Sequence, residues 1–409
     1  MNILFISGGN VCEIPSDGIA RVNGLLAKEF VKHNHRCFLA HHGWGQTDEP
    51  CIDFFSASMR MTPHEEREAL KAFLIANYID FIIISESFGN KNFYFYKLLK
   101  EIITSIGKHC PVVQHYHTIP FAEIKINYDW SYFKYHFFGN SSPIKQKVFD
   151  FLWFMTYSLL PKYSQKRINR RYEYILNHCD AMVVLSELDK QAFCRQLPQY
   201  QDRIFGIFNP MTFDTSSNVD VSLKKKQVLY VGRLGETQKR LSKLLRIWKE
   251  IETRYSDVFD WKLAIVGDGP DKQHYQKMAK NYSLKRIEFV GQQNPDNYYK
   301  ESSIFTLTSA FEGFGMVIIE ALQRKCVPIA FDSSENIHEL IIDNENGCIV
   351  KWNDCHQYAE KLHELMINQA KSEQMATNPA NYKIFEKLSI ENCYQNWEKT
   401  LYKILSIKI

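Results

Sequence analysis

The sequence predicts an α/β protein made of two doubly wound domains, and three observations carry that expectation. Short, almost wholly apolar runs alternate with amphipathic stretches at helical spacing, the pattern of a parallel sheet covered on both faces. The alternation fades between Phe208 and Lys226 and then starts again. At 409 residues the chain exceeds one ordinary core, and two to three domains are expected at roughly 150 residues each.

Taken in order, Ile3–Ser7 is a strand, Gly8–Asp17 a loop and Gly18–Lys32 a helix. Asp17 stands where a cap would, and Ile19, Val22, Leu25, Leu26 and Phe30 fall on one helical face. Strands follow at Arg36–Ala40, Phe81–Ser85, Val112–His115 and Ala181–Leu185. Asn209-Pro210, the polar run from Asp214 to Asp220 and Lys224–Lys226 read as a linker. The expected domains are residues 1–211 and 227–380, joined by 212–226. In the second, strands are expected at Val228–Val231, Trp261–Val266, Ile287–Val290, Ile304–Thr308, Val327–Phe331 and Gly347–Val350. Helices are expected at Leu241–Tyr255 and Gln273–Asn281. The end of the chain, 381–409, is helical; it packs either on the second domain or back on the first.

Composition narrows the function classes. Hydrophobic residues are 45% and charged residues 23%, which excludes a disordered chain, a collagen and a small disulfide scaffold. A net charge of +4 over this length does not argue for a nucleic-acid partner. The opening MNILFISGGN has neither the basic start nor the long apolar core of a signal peptide. The longest strongly apolar stretch, Val148 to Leu160, is 13 residues, short of the ~20 that span a bilayer. The 10 cysteines are scattered singly, with no CxxC and no zinc spacing, so free thiols in a reducing cytoplasm and no metal site are expected.

Ligands of open α/β sheets bind beyond the carboxyl ends of the strands, so the loops there hold the candidate chemistry. After Val231, Gly232 turns the chain, and Arg233 and Lys239 flank a loop before a helix. Two fixed cations suit a diphosphate; a solvated basic loop is the plainer alternative. Ile265-Val266-Gly267-Asp268-Gly269-Pro270 lacks the third glycine of a dinucleotide fingerprint and reads as a tight turn that starts a helix. In Ser309 to Leu322, Gly313 and Gly315 allow close backbone approach, and a helix opens near Met316 with free amides that would point at an anion. Glu312 in the loop and Glu320 in the helix would each accept sugar hydroxyls; the alternatives are a helix cap for Glu312 and a surface ion pair for Glu320.

These motifs in this order resemble a retaining family-4 glycosyltransferase of the GT-B fold. The carriers are VGRL with Lys239 downstream, IVGDGP, FVG at Phe289–Gly291, and EGFGMVIIEAL, in which Glu312 and Glu320 match the family's pair of glutamates with seven residues between them. The resemblance is good from Gln227 to about Ser406 and loose before it. Within the family it resembles the branch that builds bacterial capsule, lipopolysaccharide and other surface glycans. It implies two Rossmann-like domains facing a central cleft. Arg233 and Lys239 would clasp the donor diphosphate, Glu312 the donor sugar, and Glu320 the ribose. The backbone of Gly313, Phe314, Gly315, Met316 and Val317 would meet sugar and phosphate, and Gln292 would border the base. Lys239 stands six residues after Arg233, where many members have five; some branches carry the Gln-Lys-Arg form seen here.

The first half should serve the acceptor. The family implies a glycine near the donor phosphates, and Gly18 fits better than Gly8 or Gly9. Val113 to Thr118 sets two histidines beyond a strand end; His117 matches the family's cleft histidine, with His115 the runner-up. Neither has the third ligand that a metal would need. Ile144 to Tyr174 joins aromatic residues to seven cations, which suits either an anionic membrane surface or a buried helix with a solvated basic flank.

The expected function is transfer of a hexose from a nucleotide diphosphate sugar, UDP favoured over GDP, to a hydroxyl of a glycan or lipid-linked acceptor. No metal or other cofactor is expected, and the place is the cytoplasm or the inner face of its membrane. Two alternatives stand beside it: a GT-B nucleotide-sugar epimerase, and a membrane-associated scaffold with a vestigial sugar site.

Overall fold

A computed structural model describes residues 1–7, 18–42, 53–57, 63–85, 92–121, 144–213 and 219–406. The loop Gly8–Asp17, with Gly8, Gly9 and Asp17, lies outside the described residues. The chain forms two compact units: residues 1–120, 166–212 and 387–409 make the first, and residues 121–165 and 213–386 the second.

The chain opens with β1 (Asn2–Ser7), α1 (Gly18–Lys32), β2 (Arg36–His42), β3 (Asp53–Ala57), α2 (Pro63–Ala76), β4 (Phe81–Ser85), α3 (Asn92–Ile106) and β5 (Val112–His115). Next come α4 (Ile144–Leu159), which belongs to the second unit, and α5 (Pro161–His178), which lies mostly in the first. The first unit continues with β6 (Ala181–Val184), α6 (Glu187–Gln196) and β7 (Ile204–Gly206). Its seven parallel strands are ordered β3-β2-β1-β4-β5-β6-β7. The central strands β1, β4, β5 and β6 are buried along nearly their whole length, as a sheet covered on both faces requires.

Five of these seven strands are the ones expected from apolar runs. The other two are the sheet's edges. β3 reads DFFSA and β7 is three residues long, so neither carries the long apolar signature of a central strand.

The second unit holds β8 (Lys225–Val231), α7 (Leu241–Arg254), β9 (Lys262–Val266), α8 (Lys272–Asn281), β10 (Ile287–Gly291), α9 (Asp296–Glu301) and β11 (Ser302–Leu307). It continues through α10 (Met316–Gln323), β12 (Val327–Phe331), β13 (Cys348–Val350), α11 (Cys355–Ile367), α12 (Gln369–Ala376) and α13 (Ala380–Lys387). All six expected strands are present, ordered β10-β9-β8-β11-β12-β13 and parallel throughout. Leu241, Leu244, Leu245, Trp248 and Ile251 recur at helical spacing along α7 and are wholly covered, joining one core with the sheet residues Val228, Leu263, Ile304 and Ile329.

The helical stretch expected from Asn381 is two helices, α13 and then α14 (Ile390–Ser406), parted at Leu388 and Ser389. α14 belongs to the first unit and packs on α1. Tyr394 stacks on His33 at 4.0 Å and meets Phe30 edge-on at 5.1 Å, and Trp397 is fully buried.

Candidate functional site

In the second sheet the strand order reverses between β8 and β11. β9 and β10 extend one way from β8, and β12 and β13 the other way from β11. Ligands of doubly wound sheets bind beyond the carboxyl ends of the strands at such a switch point. The two loops that leave it are residues 232–240 after β8 and residues 308–315 after β11. They carry Arg233, Lys239, Glu312, Gly313, Phe314 and Gly315, so the topology brings most of the expected donor residues together.

Arg233 is exposed, and among the described residues its guanidinium makes no ion pair. Its own carbonyl accepts a hydrogen bond from the Tyr230 hydroxyl at 3.3 Å, which fixes the start of the loop. Lys239 points inward. Its Nζ donates to Glu312 Oε1 at 2.7 Å, and the two side chains are only 14% and 7% exposed. A charge-assisted bond this well covered is strong. It joins the two loops through the very residues expected to handle diphosphate and sugar.

The loops are also laced through their backbones. Ala310 N–H donates to Gln238 O at 2.7 Å, and Thr308 Oγ1 donates to the carbonyls of Lys239 and Arg240. Beneath lies a buried network that spacing did not reveal. Glu236 faces Arg240 at 3.8 Å and accepts from the hydroxyls of Ser242 (2.5 Å) and Tyr275 (2.9 Å). Arg240 is fully buried, with a left-handed backbone at φ 50°. Burial, and then the Glu236 charge, push the Tyr275 phenol far above its ordinary range. In the sequence Glu236 and Arg240 look like ordinary loop charges; nothing in their spacing signals that they face inward.

Gly315 initiates α10 in the left-handed region, at φ 85°. The first-turn amides of Met316 and Val317 have no carbonyl four residues back within the helix, so they are open to an anion. Gly313 is anchored by Asn336, whose Nδ2 donates to its carbonyl at 2.6 Å. Glu312 does not cap the helix, whose N-cap is Gly315. Glu320 does not lie at the surface. It is fully buried, and its carboxylate accepts from the Tyr299 hydroxyl at 3.1 Å.

The turn at Gly267 and Gly269 serves the backbone. Gly267 N–H donates to Gly291 O at 2.7 Å, and a Cβ on Gly267 would stand 2.0 Å from the Gly232 carbonyl oxygen. Leu234 N–H donates to Asp268 O. These contacts tie the loop of Arg233 to the ends of β9 and β10. Gln292 is exposed just past β10, the edge strand.

Gly18 and His117 belong to the first unit. Gly18 is the first residue of α1, and a Cβ placed on it would meet no atom within 4 Å. His115 ends β5 and is buried, with His117 against it at 3.8 Å between ring centroids. The Trp397 indole meets His115 edge-on at 5.0 Å. Among the described residues, neither nitrogen of His115 finds a hydrogen-bond partner, nor does Nε2 of His117. Burial holds His117 down at about 3, and burial with His117 beside it holds His115 well below the ordinary imidazole range. Both rings are therefore neutral near pH 7 and offer acceptor or donor nitrogens rather than charge.

Among the described residues, one group could offer three ligand atoms to a metal: Glu29, His33 and Glu391 of the first unit. Its members already pair with one another, His33 with Glu29 at 3.7 Å and with Glu391 at 3.4 Å, and it includes no switch-point residue.

Comparison with known proteins bears on the same half of the chain. Residues 214–381 match the family described as glycosyl transferases group 1. The amylovoran biosynthesis glycosyltransferase AmsD of Erwinia amylovora is 32% identical over 195 residues, 46% of this chain and 53% of that protein. A Campylobacter jejuni α-1,4-N-acetyl-D-galactosaminyltransferase, named for a diphospho-undecaprenol-linked substrate, is 27% identical over 243 residues, 58% of this chain and 64% of that one. The chain thus spans between half and two thirds of these relatives. Among solved structures, Anabaena HepE in complex with UDP-glucose superposes with a TM-score of 0.70 at 15% identity, over 98% of this chain and 100% of that one. The chain therefore has the GT-B fold, and its residues 214–381 are similar to the glycosyl transferases group 1.

Proposed function

We propose that this protein transfers a hexose from a nucleotide diphosphate sugar, UDP-linked, to a hydroxyl of a glycan or lipid-linked acceptor during synthesis of a bacterial surface polysaccharide. The observation that carries the reading is the meeting of the two switch-point loops at Lys239 and Glu312, with Arg233 exposed beside them. The relatives named for amylovoran synthesis and for a lipid-linked glycan support the process. The likeness to a structure holding UDP-glucose supports the donor class.

The chemical task is to break the anomeric C–O bond while charge builds on the departing diphosphate. In this reading Arg233, Lys239 and the amides of Met316 and Val317 hold that charge. A cation about 4 Å from a phosphate charge contributes up to about 4 kcal/mol at an effective dielectric near 20. Lys239 then turns from Glu312 to phosphate, which frees the Glu312 carboxylate for a sugar hydroxyl. The buried Glu236–Arg240 pair keeps the loop in shape while this happens. Glu320 holds the ribose, Gln292 borders the base, and Gly18 lets the donor approach α1 closely. His117, neutral, binds the reacting sugar through its imidazole. No resident metal is required, because fixed cations stand where a divalent ion would.

Retention completes the proposal. No side chain of the switch-point loops is set as a nucleophile, so the acceptor attacks from the face the diphosphate leaves. The acceptor oxygen bonds the anomeric carbon as the phosphate oxygen departs, and the hydroxyl proton passes to that phosphate. The test is incubation with UDP-hexoses and acceptor in the presence of chelator. NMR of the new linkage should show the donor's anomeric configuration preserved; an inverted centre removes retention, and a new sugar nucleotide formed from donor alone removes transfer.

A further inference from the structure

A third loop meets the switch-point site, from the β12 side. β11 and β12 are parallel neighbours with Leu307 opposite Ala330, so the loops that leave them, residues 308–315 and 332–340, start side by side. The later loop runs through one short 3₁₀ turn, Glu335–Glu339, and carries Asn336 inward, where it is only 1% exposed. Asn336 Nδ2 donates to the Gly313 carbonyl at 2.6 Å. Leu340 meets the same loop two residues on: a Cβ placed on Gly315 would stand 3.4 Å from Leu340 Cδ1.

The turn that carries Asn336 is itself held. Ile337 N–H donates to Ser334 O at 3.1 Å, and the N–H groups of Leu340 and Ile341 donate to Ile337 O at 3.1 and 2.8 Å. The side chains of Ile337 and Leu340 are covered. Next in the chain, the fully buried Asn346 accepts from Ile342 N–H at 2.8 Å and donates to Leu340 O at 3.1 Å and to Asn381 Oδ1 at 2.9 Å. His338 Nε2 and Asp332 Oδ1, 2.9 Å apart, tie the exposed side of the loop. The Asn336 amide therefore stands on a packed support, as a group that fixes a neighbour must.

Peptide geometry says what the bond controls. The unit that joins Gly313 to Phe314 is planar and trans, so fixing the Gly313 carbonyl also fixes the Phe314 N–H, which points the opposite way. Glycines on both sides of Phe314 give this stretch few steric limits of its own. Gly313 follows Glu312 directly, and Gly315 opens α10. The bond from Asn336 thus sets how the chain passes from the Glu312 carboxylate to the first amides of α10. Arg233 and Lys239 belong to a different loop, the one after β8.

We propose that Asn336 is a positioning residue for the sugar half of the donor. Through the Gly313 carbonyl it sets the backbone of residues 312–314, against which the hexose is held, while the diphosphate is left to Arg233, Lys239 and the α10 amides. This rests on the transferase reading given above.

The experiment is calorimetric titration of the wild type, Asn336→Ala and Asn336→Leu, in the presence of EDTA, with UDP, UDP-glucose, UDP-galactose and UDP-N-acetylglucosamine. Circular dichroism melts check folding; the leucine variant keeps the volume of the covered site where alanine would leave a hole. In both variants UDP affinity should stay within about threefold of wild type. Affinity for whichever sugar nucleotide the wild type binds best should fall about tenfold or more, since a displacement of about 1 Å can cost on the order of 10²-fold. If the wild type binds UDP and the variants lose neither ligand, or lose both by the same factor, Asn336 only packs its loop; the proposal is overturned and the transferase reading stands. Failure of both variants to fold likewise assigns Asn336 to the fold and overturns the proposal. If the wild type binds neither UDP nor any of the three sugar nucleotides, the transferase reading fails and the proposal falls with it.

Discussion

Lys239 and Arg233 share an expected role but sit in opposite environments, and that difference separates stability from activity. Replacing Lys239 by Met leaves the covered Glu312 carboxylate without its cation, a change that costs about 3 kcal/mol or more for a buried pair. Arg233→Met removes an exposed side chain and should shift stability by no more than about 0.5 kcal/mol. Both should lower turnover by about 10² to 10³, the usual effect of losing one preorganised charge. Urea denaturation alongside initial rates checks this; equal destabilisation by the two variants would refute the environments described. His117 gives a second test. Its folded pKa lies below its unfolded one, so the unfolded chain binds more protons between about pH 6.5 and 3, and stability must fall as pH drops through that window. In urea titrations across it, His117→Asn should flatten the slope; an unchanged slope would mean that the ring titrates normally. Arg233, Lys239 and Glu312 were legible because a strand, a glycine and a polar loop in series mark a strand's carboxyl end. The inward turn of Glu236 and Arg240 was not, because a loop charge looks the same in a sequence whether it faces water or Tyr275. The depth of Glu320 was hidden likewise: a spacing of eight residues says how far along a helix a side chain lies, not what covers it.

At the scale of elements, the glycines divide by what a methyl group would meet. Gly267→Ala would drive a Cβ to 2.0 Å from the Gly232 carbonyl, at φ 143°, so the loops after β8 and β9 would have to part. Failure to yield folded protein, or a loss of several kcal/mol, is expected. Gly18→Ala has open space at the first position of α1 and should leave the melting temperature within about 2 °C. If the donor passes close to Gly18, the same change should raise KM for the donor at least several-fold. A normal KM would assign Gly18 to the helix alone. The six strands of the second sheet were legible because a parallel strand covered on both faces is an uninterrupted apolar run. β3 and β7 were not, because an edge strand can be short and half polar and still complete its ladder. Gly267–Pro270 reads in the sequence as a tight turn before a helix, and its contacts are those of backbone packing.

For the whole molecule, chain order and unit membership diverge. The alternation of strands and helices foretold two sheets. It could not assign residues 121–165 to the second unit, because an amphipathic helix such as α4 states only that one face is apolar. Nor could it choose between the two expectations for the end of the chain, since Tyr394, Trp397 and Leu401 would suit any apolar surface. Their actual neighbours, Phe30, His33 and His115, make α14 part of the first unit's core. Deleting residues 390–409 should therefore destabilise the first unit. In a thermal melt the first unit should unfold early while the second keeps its transition; a single unshifted transition would contradict the packing.

The central claim is that the loops 232–240 and 308–317 bind a nucleoside diphosphate through fixed protein cations. Calorimetric titration of UDP into the protein in the presence of EDTA tests it most directly. The account predicts saturable binding to the wild type, weakened at least tenfold in Arg233→Ala and in Lys239→Ala. Unchanged affinity in both variants, or binding that appears only when a divalent metal is restored, would contradict it.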